Sequence, residues 1–169
     1  MLYISYRGIY RGQNYPQANS PAQIQKALRW GLSVATDAWF VDNVIYLGND
    51  QPLYAVDAKF IQGNKFWINA RNADMVTWLT AQPAKLYPNW FSYDDANPPP
   101  YVTTSSGKLW TFGTVPVNDT SIVVLPEIND RALFSTVNLK CYGICSTYLN
   151  FIRRMRNQGD FYNDGDWYC

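Results

Sequence analysis

Short apolar runs alternating with segments of helical period leave this chain few architectures. Leu2 to Tyr6 reads as a buried strand, and the loop after it, rich in Gly, Asn and Pro, runs through Asn19. Ser20-Pro21-Ala22-Gln23 then has the form of a capping box with proline at the first helical position. Ile24, Ala27 and Leu28 recur at helical spacing until Gly31. Leu32 to Phe40 and Val44 to Leu47 read as strands parted by the turn Asp42-Asn43. Phe66-Trp67-Ile68, followed by Met75, Val76 and Leu79, is a second strand and helix. Strand and helix in alternation, with short connections, favour parallel neighbours in an α/β fold.

The second half is more broken. Asp94 to Pro100 is a Pro-rich loop, and Tyr101 to Thr104 and Leu109 to Phe112 flank Ser105-Ser106-Gly107-Lys108 as a hairpin. Ser121 to Leu125 reads as a strand, and Ser146 reads as the cap of a last helix with the stripe Leu149, Ile152 and Met155. Gln158 to Cys169 is polar and aromatic with no period. Its rings Phe161, Trp167 and Tyr168 are expected to dock in a groove of the domain or on a neighbouring subunit.

With 169 residues, 47% of them hydrophobic, the chain has material for one sizeable core and is expected to form one domain. Fourteen basic and 13 acidic residues leave a net charge of +1, so no footprint for nucleic acid or an anionic membrane stands out. The densest basic run, Arg153-Arg154-Met155-Arg156, reads as a solvated helix face. No stretch approaches the roughly 20 apolar residues of a membrane span, and the N-terminus lacks the pattern of a leader, so the chain is expected to start inside its fold.

The chemistry is limited by what is missing. There is no histidine. Cys141, Cys145 and Cys169 suit neither a paired disulfide framework nor a zinc site, which wants a fourth ligand and tighter spacing; a reducing compartment, with one late disulfide open to Cys169, is the expectation. A cysteine nucleophile would lack its usual base, and no dinucleotide or phosphate-binding glycine loop occurs. Asn118-Asp119-Thr120 matches a glycosylation sequon, a weak three-residue signal. No cofactor is expected.

Eight motifs nevertheless follow a familiar order: Ile4-Ser5-Tyr6-Arg7-Gly8, Asn19-Ser20-Pro21, Val34-Ala35-Thr36-Asp37, Leu47-Gly48-Asn49-Asp50-Gln51-Pro52, Phe66-Trp67-Ile68-Asn69-Ala70-Arg71-Asn72, Leu109-Trp110-Thr111, Ser121-Ile122-Val123-Val124-Leu125-Pro126-Glu127 and Gly143-Ile144-Cys145-Ser146. In this order the chain resembles a short member of the glycerophosphodiester phosphodiesterase family over residues 2 to 150. The resemblance implies a compact TIM-like (β/α) barrel over residues 1–157, complete or short of closure, followed by the aromatic tail 158–169. Strands are then expected to begin near Leu2, Leu32, Val44, Phe66, Lys85 and Ser121, with several helices reduced to loops.

The same resemblance implies a degenerate site. Active relatives end the first strand in Ser-His-Arg-Gly, where this chain has Tyr6, and carry Gly-His-Asp where it has Asn49. The family's acidic metal ligands correspond to Ala18, Ala35 and Asp37, of which only Asp37 keeps a carboxylate. Asn69 and Ser92 also stand where relatives often carry histidine. Tyrosine titrates near pH 10 and asparagine not at all, so neither Tyr6 nor Asn49 replaces a base poised near pH 7. A hard cation wants several oxygen ligands.

The remaining polar residues have two readings each. Arg7 either grips a phosphate or carboxylate or pairs with Asp37 or Asp50; Asp50 is a ligand or a turn former; Glu127 is a surviving acid or a brace between loops; Arg71 takes the family's lysine place and is a candidate anion contact. The expectation is a catalytically silent barrel with protein partners, among them neighbouring subunits of a larger assembly. Seven tryptophans and 13 tyrosines with few charges fit surfaces spent on neighbours. The resemblance to short phage and large-virus members points to a virion component, with a cytoplasmic location as the other setting. A phosphate-ester sensor using Arg7 and Arg71, and a phosphodiesterase whose site is rebuilt from Asp37, Asp50, Glu127 and Tyr6, are the alternatives.

Overall fold

The computed structural model describes residues 1–12, 15–94, 96–112, 115–129 and 140–156. The first strand, β1 (Leu2–Tyr6), leads through a 3-10 turn at Tyr15–Gln17 into α1 (Pro21–Arg29) and then β2 (Ser33–Val41). The Ser20 side chain accepts a hydrogen bond from the Gln23 N–H, as the capping box predicts, and Ile24 and Ala27 are buried against the sheet. Then follow β3 (Val44–Leu47), β4 (Tyr54–Val56), a 3-10 turn at Ala58–Ile61, β5 (Phe66–Ala70), α2 (Ala73–Ala81) and β6 (Trp90–Phe91). The chain continues with β7 (Tyr101–Thr103), β8 (Leu109–Thr111), β9 (Ser121–Val124), the single turn α3 (Pro126–Asn129), β10 (Gly143–Ser146) and α4 (Leu149–Arg156).

These strands form one curled sheet, a half-barrel with few helices. Hydrogen-bonded neighbours run β4-β3-β2-β1-β10-β9-β8-β7, while β5 branches from β2 and carries β6. The pairs β1/β2, β1/β10, β10/β9, β9/β8, β2/β5 and β5/β6 are parallel. The two ends of this parallel run approach each other at the β7–β8 turn: the Ser105 N–H donates to the Trp90 carbonyl at 2.8 Å, and the Trp90 N–H donates to Ser105 Oγ at 2.8 Å.

Curling divides the core in two. Outside, α1 and α2 cover the sheet with Ile24, Ala27, Met75 and Leu79 against Val34, Ile68 and Ile144. Inside, β1, β2, β5, β6, β8, β9 and β10 contribute Ile4, Ala35, Trp67, Phe91, Trp110, Ile122, Val124 and Cys145 to a second cluster. One inward side chain or more from each of seven parallel strands is what a sheet wrapped on itself requires.

Four expectations are corrected. Val44 does not start a parallel strand; the two residues Asp42 and Asn43, both at positive φ (49° and 62°), make a tight hairpin, and β3 and β4 run antiparallel off the end of β2. The strand expected near Lys85 begins at Trp90 and is two residues long, because Pro83 and Pro88 break the segment before it. Gly143–Ser146 is a central parallel strand between β1 and β9 that periodicity did not reveal. Ser146 therefore closes a strand rather than capping α4; its hydroxyl accepts from the Tyr148 N–H instead. Leu149 and Ile152 of the expected stripe are buried, and the Arg153 guanidinium lies 5.7 Å from the Tyr3 ring. The Met155 side chain, the tail 158–169 with Phe161, Trp167 and Tyr168, and Cys169 lie outside the described residues. No helix among the described residues is long and apolar enough to cross a membrane.

Candidate functional site

The carboxyl ends of β1, β2 and β5 converge on Asp37, which is 3% exposed. In the β2–β5 ladder Asp37 stands opposite Asn69, and the Asn69 Nδ2 donates to Asp37 Oδ1 at 2.8 Å. Arg7, just past β1, is held at φ 57° by its N–H donating to the Ala35 carbonyl. That left-handed turn brings the Arg7 Nε to 2.6 Å from Asp37 Oδ2. Its guanidinium also lies 4.6 Å from the centre of the Tyr6 ring.

The third donor is Asn19, which sequence reasoning treated as part of a motif and not as a site residue. It is fully buried and at φ 61°. Its Nδ2 donates to Asp37 Oδ2 at 2.9 Å, and its Oδ1 accepts from the Asp37 N–H at 3.0 Å and from Thr36 Oγ1 at 2.9 Å. The available signal was an asparagine directly before a helix-capping serine, a place where a left-handed residue is tolerated.

Of the residues expected at the site, Tyr6, Arg7, Asp37 and Asn69 come together. They line a void of about 10 Å³ with Ala35, Phe91 and Trp110. A void of that size has room for about one water. The other expected residues lie apart from it. Asn49 donates to the Asp50 carboxylate at 2.9 Å in an exposed turn, so Asp50 shapes its loop and does not reach Asp37. The Arg71 guanidinium lies 5.9 Å from the Trp39 ring. Ser92 donates to the Ala70 carbonyl.

Glu127 is a brace. One carboxylate oxygen accepts from the Thr147 N–H (2.9 Å) and hydroxyl (2.8 Å), the other from the Ser146 hydroxyl (3.0 Å), tying α3 to the end of β10. Below it Cys145 is fully buried, and its thiol is pushed well above its ordinary value, first by burial and then by the charges of Glu127 and Asp37, against a lowering by Arg7.

The donor set decides whether a divalent cation suits this place. Both Asp37 oxygens already accept N–H donors, one of them cationic, and Ala18 and Ala35 supply no side-chain oxygen. Hard cations require oxygen ligands, and a guanidinium in contact with the Asp37 carboxylate opposes them. The residues present do not fit Mg²⁺ or Ca²⁺. Among the described residues no three His, Cys, Asp or Glu side chains are grouped so as to hold a metal ion. No protein-family model, no curated protein and no solved structure matches the chain.

Proposed function

We propose that this chain is a catalytically silent, incomplete TIM-like barrel of glycerophosphodiesterase ancestry, used as a structural or protein-binding module. The observation that carries the reading is the saturation of Asp37 by Arg7, Asn19 and Asn69. The one carboxylate left of the implied ligand set is spent on knitting three strand ends together. Tyr6 and Asn49 stand in the implied proton-transfer places, where a tyrosine ordinarily titrates near pH 10 and an asparagine not at all. The wrapped order of parallel strands and the inward cluster from seven of them support the barrel reading.

With proton transfer and cation binding removed, function passes to surfaces. Trp30, Leu53, Tyr101 and Ile128 are each more than half exposed, a supply of apolar contact area for neighbouring chains. We assign the chain to a larger assembly, a virus particle in the setting the resemblance brings with it. Sedimentation of the expressed protein, alone and with the other proteins encoded beside it, tests this assignment. Incorporation into a larger particle is the expected result; a chain that stays monomeric with all of them contradicts the module reading.

A further inference from the structure

A net charge of +1 conceals how unevenly the charges fall along this chain. Residues 1–36 hold four basic residues and no acid, residues 131–159 hold five and no acid, and ten of the 13 acids lie between those stretches. The fold sets the two acid-free stretches side by side. β1 pairs with β10, and the helices that follow these strands, α1 and α4, pack on the same outer face of the sheet, where Ile24 and Ala27 share one core with Leu149 and Ile152. α1 carries Lys26 and Arg29, both exposed and one turn apart, and α4 carries Arg153, Arg154 and Arg156. Neither helix contains an acid. The loop after β1 adds Arg11, which is exposed. The Tyr10 carbonyl accepts from the Asn150 N–H of α4, the Tyr10 ring lies 6.1 Å from the Trp30 ring at the end of α1, and the Arg11 guanidinium lies 4.6 Å from the centre of Trp30. Among the described residues no carboxylate pairs with Arg11, Lys26, Arg29 or Arg153.

Like charges gathered on one face repel one another, and a polyanion laid across them relieves that repulsion. Five of the six cations named here are arginines, whose fork of donors matches phosphate or carboxylate oxygens in pairs. Trp30 decides between those two anions. It is 51% exposed even with Tyr10 and Arg11 beside it, and a half-exposed indole among guanidiniums is a surface on which unpaired bases stack. We propose that the face built from α1, α4 and Arg11 binds single-stranded nucleic acid without sequence preference, its phosphates meeting Arg11, Lys26 and Arg29 and a base resting on Trp30. This face is independent of the Asp37 cluster and of the functional reading given to it.

The probe is a labelled oligothymidylate of about 12 nucleotides, titrated with the full chain by fluorescence anisotropy. An abasic phosphodiester strand of the same length and a polyglutamate peptide of equal charge are the comparisons. The three acids of residues 160–169 are present as competitors throughout. Saturable binding on the order of 10 μM is expected at low salt, falling with the logarithm of salt concentration at a slope of about −2, the value for roughly three phosphates of a single strand. The abasic strand should bind about fivefold more weakly, and Trp30→Ala should erase that difference while keeping the salt slope. Arg11→Gln and Arg29→Gln should each reduce the magnitude of the slope by about 0.7, while Lys59→Gln, exposed in the turn after β4, leaves it as it is. No saturable binding at about 50 mM salt, an abasic strand or polyglutamate bound as tightly as oligothymidylate, or the same loss of slope in Lys59→Gln as in Arg29→Gln overturns the proposal. Should Trp30→Ala not fold, the abasic strand and the arginine variants decide.

Discussion

Asp37 shows how one buried charge can organise a strand end. The carboxylate is 3% exposed and is matched by a guanidinium and two amides drawn from the turn after β1, the residue before the α1 cap and β5. Removing Asp37 takes a carboxylate partner from a guanidinium and two amides at once, so Asp37→Ala should cost about 3–5 kcal/mol in denaturant unfolding. The double variant Asp37→Ala with Arg7→Met should cost clearly less than the two single changes summed, because no lone charge is left inside. Full additivity would show that the pair is not coupled. Cys145 gives a pH signature. Its folded thiol is raised above the ordinary value of 9.0, so the folded state keeps its proton where the unfolded chain loses it. The contribution is intact below the ordinary value and is lost as pH rises past it towards the raised folded value. Stability should therefore fall by about 1.4 kcal/mol per pH unit above pH 9 relative to Cys145→Ala, measured by urea unfolding. An unchanged difference between the two proteins across that range contradicts the burial argument. At this scale the pairing of Arg7 with Asp37 was legible, because both close adjacent strands; Asn19 was not, because its role depends on a left-handed backbone 18 residues away from its partner.

Elements are fastened by side chains that do two jobs. Asn72 caps α2 by accepting from the Met75 N–H, and it also accepts from the Phe40 N–H and donates to the Phe40 carbonyl. Ser20 caps α1 with one bond. Ser20→Ala should cost about 1 kcal/mol and Asn72→Ala about 2–3 kcal/mol, since the second change also strips β2 of two partners. Equal losses in the two variants, by thermal or denaturant unfolding, would show that the Phe40 bonds contribute nothing. Helices and long strands were readable for the same reason that they are stable: α1 has a cap and an apolar stripe, and β2 is buried over its first six residues and ends in the apolar run Ala38-Trp39-Phe40-Val41. β6 and β10 were not, being two and four residues long with no alternation, and made strands only by their neighbours, β5 beside β6 and β1 and β9 on either side of β10. Glu127 belongs to this scale too, since the loop it braces is defined only once β9 and β10 are adjacent.

Across the whole molecule, the inside of the sheet is filled by aromatic rings. Tyr142, Trp67, Trp110, Phe91, Tyr93 and Phe112 follow one another at centroid separations of 6.4, 6.0, 4.5, 6.0 and 4.8 Å. The two tryptophans are among the largest fully buried side chains, and they close the middle of a sheet whose ring of strands is short. Trp110→Ala should cost about 3–5 kcal/mol, seen as a lowered urea midpoint with its slope retained. We propose that the Asp37 end is a structural knot and not a site of hydrolysis. Its most direct test is the rate of glycerophosphodiester hydrolysis by the purified chain with Mg²⁺ or Ca²⁺ supplied. No turnover above a heat-killed control is expected, whereas metal-dependent turnover abolished by Asp37→Asn would contradict the silent-site reading.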